Sequence, residues 1–195
     1  MPESWFALSR TDQVEALEVA AASTGRPPHL LEKDNWVVWA LAVIYQSRLA
    51  DKLTFKGGTS LSKAHKIIDR FSEDVDLTYD IREMVPDLLR SGNPIPASSS
   101  QAKKITDAVR DRLPEWIKKT VQPIFESALQ REGIQATLSL AGKEQEKLIL
   151  TYMPIKLGTG YAAPTIQLEF GGRATGEPHQ HHVVTCDMAD SRWQA

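Results

Sequence analysis

The chain has 195 residues, a formal net charge of -2 and a pI near 6.2, with 42% hydrophobic and 25% charged residues. That length supports one domain with an ample core, with or without a small helical extension, and the charge excludes a general nucleic-acid coat, so any RNA contact must be a local patch. The lone Cys186 excludes an intramolecular disulfide and a cysteine zinc cage, which suits a reducing cytoplasm and a role as a small buried apolar residue.

In chain order, Met1-Pro2-Glu3-Ser4-Trp5 lacks the basic start and apolar core of a signal peptide. Ser9 or Thr11 could cap a first helix carrying Val14 and Leu17, which Gly25-Arg26-Pro27-Pro28 ends. A second helix is predicted over 28–49, with Leu30, Val37, Val38, Leu41, Ile44 and Tyr45 forming a broad apolar stripe. Its most apolar part, 36–45, is too short to cross a bilayer and reads as a buried helix, with Trp36 and Trp39 in the core.

A short strand over 53–55 runs into Lys56-Gly57-Gly58-Thr59-Ser60. A glycine pair lets backbone approach a phosphate closely, and a helix starting at Thr59 or Ser60 would point unpaired N–H groups at that anion. The same four residues also suit a plain strand-to-helix turn. Leu61, Ala64, His65 and Ile68 are predicted to face the core, with Ser62, Lys66 and Asp69 outside. Over 75–79 an acidic strand follows, and Asp74 and Asp76 share one of its faces because side chains alternate with period two. An Asp-x-Asp alone is an ordinary solvated strand edge, yet paired with the glycine turn it fits a hard divalent ion that also touches phosphate, magnesium above all. The spacing from glycines to a Lys-Ser/Thr pair excludes a P-loop.

Residues 86–100 read as a surface loop and 101–132 as a long charged helix, open to a break at Pro114 or Pro123. Its Lys103, Lys104, Arg110, Arg112, Lys118 and Lys119 are interrupted by Asp107, Asp111 and Glu115, the pattern of a solvated face. Strands are predicted at 135–140, 147–153, 164–170 and 182–185, paired antiparallel, giving a mixed α/β domain. In the third, Ile166, Leu168 and Phe170 alternate with Gln167 and Glu169, so Glu169 is either an exposed edge residue or a ligand. His179-Gln180-His181-His182 follows Glu177-Pro178 in a loop with no matching ligands elsewhere, which argues against a zinc or copper site.

The segment from Lys56 to Leu77 (Lys-Gly-Gly-Thr-Ser-Leu-Ser-Lys through Arg-Phe-Ser-Glu-Asp-Val-Asp-Leu) resembles the AbiEii/AbiGii toxin family of nucleotidyltransferases, to which the MenT toxins are related. Leu31-Glu32-Lys33-Asp34-Asn35-Trp36 and Ile166-Gln167-Leu168-Glu169-Phe170-Gly171-Gly172-Arg173 are similar to the same family. The resemblance implies an α/β (α+β) fold, a nucleotidyltransferase-like mixed sheet flanked by helices in a single domain over 1–195: helices in 1–50, the glycine turn and acidic core in 51–80, the loop 86–100, the long helix and a strand-rich part over 135–186. It implies that Asp74, Asp76 and Glu169 are catalytic and hold magnesium as a two-metal site, while Gly57, Gly58, Thr59 and Ser60 hold the phosphates of a nucleoside triphosphate. Lys56, Lys63 or Arg173 would assist, Arg173 being favoured because it follows the Glu169 strand by a tight glycine turn. The implied reaction moves a nucleoside monophosphate to an RNA hydroxyl, tRNA above all, in a cytoplasmic toxin neutralised by an antitoxin and not bound to membrane. Longer family members continue into a helical C-terminal half that this sequence lacks. That leaves open a catalytically incomplete form that binds nucleotide or a partner protein without turnover, and a transferase of small hydroxylated molecules.

Overall fold

The computed structural model describes residues 5–68, 74–89, 92–156 and 163–190. Helix α1 (Arg10–Thr24) starts where the Ser9 hydroxyl accepts the Asp12 N–H at 3.2 Å, and stops at Gly25, whose φ of +71° lets the chain turn left-handed. Helix α2 (Pro28–Tyr45) opens on a proline, which needs no N–H donor there, and is buried almost all round from Leu31 to Leu41. It ends four residues before the predicted 49, and turns lead from it into β1 (Leu53–Lys56). Helix α3 (Gly57–Lys63) follows directly, then β2 (Asp74–Asp80) and the short α4 (Ile81–Met84). Helix α5 (Ser99–Trp116), capped by Ser98, continues through a π-helical turn (Ile117–Val121) into α6 (Gln122–Glu132). Neither proline breaks the long helix: Pro114 lies inside α5 and Pro123 in the first turn of α6, where its missing donor costs little.

The remaining strands are β3 (Ala136–Ala141), β4 (Lys147–Tyr152) and β5 (Thr165–Ala174). The sheet order is β1-β2-β5-β4-β3, so the acidic strand β2 lies beside β5 at the centre. The late strands pair antiparallel as expected, β3 with β4 and β4 with β5, and β1 with β2 is antiparallel too, whereas β2 with β5 is parallel. A fourth late strand does not form. His182 to Thr185 lie in irregular backbone, with Val183 86% exposed. One sheet face carries the core, where Val75, Leu77, Leu148, Leu168 and Phe170 meet α2, α5 and α6. The aromatic residues belong to this packing: Trp36 stacks on Tyr152 at 4.7 Å, and Trp116 sits edge-on to Phe170 at 5.6 Å.

The predicted inward stripe on α3 is also corrected. The helix is seven residues long, its buried side chains are Thr59 and Ser60, and Leu61 and His65 are exposed. Asp69, the Phe71-Ser72-Glu73 part of the quoted motif and Trp193 lie outside the described residues. Along α5 and its continuation the basic residues face acids and solvent, as with Arg112 on Asp87 and Lys119 on Glu115. Among the described residues no helix is long and apolar enough to cross a membrane.

The run Glu32-Lys33-Asp34-Asn35 is buried although every residue in it is polar. Each is spent on chain that would otherwise be loose: Glu32 accepts the N–H groups of Ile155 and Lys156, and the Lys33 ammonium donates to the Ala163 carbonyl just before β5. Asp34 accepts the Asp187 N–H at 2.6 Å. Burial raises the Glu32 and Asp34 carboxyls above their ordinary range, against the bonds that hold them ionised.

Candidate active site

Strand register builds the site. Lys56 of β1 pairs with Asp76 of β2, Asp76 with Glu169 of β5, and Glu169 with Lys147 of β4. Paired residues point to the same side of a sheet, so one row across four strands reads cation, acid, acid, cation. Asp74 opens the next row, paired with Gln167, on that same face. The intervening residues Val75, Leu77, Leu168 and Phe170 are buried on the opposite face, so the acids stand on the side away from the helical core. Neighbouring strands are about 4.8 Å apart, which sets Asp76 and Glu169 side by side although 93 positions separate them.

Two such carboxylates disfavour each other's charge. The Asp76 carboxyl is pushed up first by burial and then by the charges of Glu169 and Asp74, with Lys56 and Lys147 partly offsetting them. The Glu169 carboxylate is met by the Lys147 ammonium at 2.9 Å, an ion pair that raises the lysine. One oxygen of Asp74, Oδ1, is buried without a hydrogen-bond partner. A buried acceptor left in that state is costly, and a cation is one way to satisfy it.

The glycine turn leans directly on this row. Gly57 has φ of +75°, and a Cβ built on it would lie 1.9 Å from Asp76 Oδ2. Only glycine lets the acid and the turn approach so closely. The Thr59 hydroxyl donates to the Asp74 carbonyl, tying the first turn of α3 to the start of β2, and no side chain caps the helix N-terminus. Thr59 and Ser60 therefore face inward, and what they offer an anion is backbone N–H.

Of the three predicted assisting cations, only Lys56 stands in the row. Lys63 is at the far end of α3 with its ammonium between Asp34 and Asp187, its side chain 11% exposed. Arg173 is four residues beyond Glu169, about 13 Å along the strand. The expected tight turn at Gly171-Gly172 is absent, since both glycines lie inside β5. A Cβ on Gly172 would come within 3.0 Å of Val109 and 3.2 Å of Met84, so the strand packs closely there. The cation that sequence reasoning missed is Lys147. It opens an apolar strand, but only the β4–β5 register puts it opposite Glu169.

Among the described residues no three His, Cys, Asp or Glu side chains are gathered closely enough to form a ligand set as they stand. The backbone brings the three acids together, while Lys147 holds the Glu169 carboxylate. The donor set still fits magnesium: all oxygen, with one orphaned Asp74 oxygen and an Asp76 whose ionisation a cation would favour. The cleft of about 320 Å³ lined by Ser62, Lys66, Thr185 and Asp187 lies at the other end of α3, and none of the three acids borders it.

A family model described as nucleotidyl transferase AbiEii toxin, type IV TA system, matches residues 39–194. No curated protein matches the sequence. Among solved structures, MenT4, a nucleotidyltransferase toxin of Mycobacterium tuberculosis H37Rv, aligns with a TM-score of 0.40 at 17% identity, over 85% of this chain and 44% of that one. The chain thus spans less than half the length of that structure.

Proposed function

We propose, for a chain that belongs to the AbiEii family of nucleotidyl transferase toxins of type IV toxin-antitoxin systems, that its acid face transfers a nucleoside monophosphate from a triphosphate to an RNA hydroxyl. The observation that carries this reading is the row Lys56, Asp76, Glu169, Lys147 with Gly57 packed on Asp76. Asp74, Asp76 and Glu169 would hold magnesium, which when bound supplies positive charge to the triphosphate and acidifies the attacking hydroxyl. The chain's own contribution is placement. The N–H groups of Gly58, Thr59 and Ser60 would receive the phosphate tail. Lys56 and Lys147, on either side of the acids, would balance its charge once Lys147 leaves Glu169. The hydroxyl oxygen attacks the α-phosphorus, the α–β bridging bond breaks, pyrophosphate leaves with the electron pair, and the hydroxyl proton passes to water. A tRNA acceptor and a neutralising antitoxin are part of the same reading, supported by the family and by no base-reading feature of this chain.

The test is incubation of the protein with each α-labelled triphosphate, magnesium and total RNA. Label should enter RNA, and Asp76→Asn should abolish it. Binding of triphosphate with no label in any RNA would favour the incomplete, non-transferring form instead.

A further inference from the structure

The three acids account for one end of α3, and the other end carries a charge cluster that the transfer reaction does not use. Lys63, the last residue of α3, places its ammonium against Asp34 Oδ1 and against Asp187 Oδ1, the latter at 2.5 Å. Asp187 Oδ2 is held in turn by Arg26 at 3.0 Å, and the Asp187 N–H donates to Asp34 Oδ2. Two cations and two anions from four places in the chain thus close one network: the α1–α2 turn, α2, α3 and the 3-10 turn Asp187–Asp190. Asp34 is 1% exposed, so this ion pair is shielded from solvent and its loss would leave a buried charge alone. Helix α3 has no side-chain cap and only seven residues, too few to be stable by itself. It is held at its start by Thr59 on the Asp74 carbonyl and at its end by Lys63.

We propose that Lys63 is a positioning residue, whose pairing with Asp34 and Asp187 fixes α3 lengthwise and so holds the Gly57-Gly58-Thr59 turn against Asp76. This assigns Lys63 a role through the helix rather than by contact with phosphate. It rests on the transfer reading only for its effect on turnover, because the rigidity of the turn can be measured without nucleotide. The helix is a short rod, and a shift at one end moves the other by a similar amount. A misplacement of about 1 Å at a binding turn is enough to cost about a hundredfold in rate.

The experiment compares wild type with Lys63→Met, Lys63→Arg and Asp187→Asn. Asp187 is only partly buried, so its variant keeps the test usable should Lys63→Met fail to fold. Hydrogen exchange followed by mass spectrometry reads the turn directly. Exchange should rise at least about tenfold in peptides covering 56–63 for Lys63→Met and Asp187→Asn, and stay unchanged in β5 peptides, as expected of local rather than global opening. Lys63→Arg should restore most of the protection. In the labelling assay the same two variants should raise KM for the triphosphate about tenfold with a smaller fall in kcat. Combining them should add little, since both break one network. Unchanged exchange at 56–63, or a KM effect in Lys63→Met with none in Asp187→Asn, would overturn the proposal and return Lys63 to direct phosphate contact. Exchange that responds as stated in a protein that never transfers nucleotide would leave the latch standing and sink the transfer reading.

Discussion

Replacing Gly57 by alanine tests the contact on which the site depends. The substitution carries two separable costs. One is backbone strain: φ of +75° puts a Cβ residue in the left-handed region, at about 1–2 kcal/mol. The other is overlap with Asp76, since the new methyl would lie 1.9 Å from Oδ2 and 2.8 Å from Cγ. The carboxylate must leave its rotamer, at about 0.5–1.5 kcal/mol. Gly57→Ala should therefore lower unfolding free energy by about 1.5–3.5 kcal/mol, the sum of those terms. Asp76→Ala removes the two closest atoms and leaves only Cβ, at 3.1 Å, so in that background the backbone term should dominate. Urea denaturation of wild type, both single variants and the double variant gives the coupling. It should be about 0.5–1.5 kcal/mol, with the double variant more stable than additivity predicts. Additive costs would mean that Asp76 does not lie on Gly57 in solution, and the cradle would be wrong.

Asp76 also gives a pH signature. Its folded-state pKa is raised, so its ionisation opposes folding above that value, and the penalty disappears as pH falls below it toward the unfolded-state value of about 3.9. Asp76→Asn should accordingly stabilise the metal-free protein near neutral pH, with the advantage over wild type shrinking on acidification; a gap that widens in acid would refute the sign. Manganese, used as a spectroscopic stand-in for magnesium, should bind wild type more weakly as pH falls through that raised pKa, and titration calorimetry at two pH values checks it. Lys147→Met should change stability by less than about 1 kcal/mol, as a half-exposed ion pair implies, yet lower transfer to RNA about a hundredfold. Glu32→Ala should cost about 2–6 kcal/mol by leaving the Ile155 and Lys156 N–H groups without their acceptor, at about 1–3 kcal/mol each. Glu32→Gln, which keeps one acceptor oxygen, should cost clearly less in the same denaturation assay.

Local patterns made much of this fold legible. Ser9 and Gly25 bracket α1 as a cap and a left-handed stop should, and the alternation around Glu169 marked a strand with one buried face. What alternation cannot supply is register between strands far apart in sequence. The parallel pairing of β2 with β5 and the position of Lys147 opposite Glu169 depend on which strands become neighbours once the sheet assembles. The α3 stripe failed for another reason. A helix of seven residues is placed by its ends, by Thr59 on Asp74 and Lys63 on Asp34, so helical periodicity has little hold over it. The turn expected before Arg173 does not form because a glycine pair also suits a strand interior, where a Cβ on Gly172 would crowd Val109 and Met84.

The charge row also explains how a sheet can hold three acids on one face. Parallel pairing places Asp76 and Glu169 in one register pair, a repulsive arrangement that a sheet ordinarily avoids. The flanking antiparallel strands each set a lysine in that register, one beside each acid, and the Lys147 ammonium pairs with the Glu169 carboxylate at 2.9 Å. The less balanced charge is then on Asp76 and Asp74, the two acids against which Gly57 and the first turn of α3 are packed.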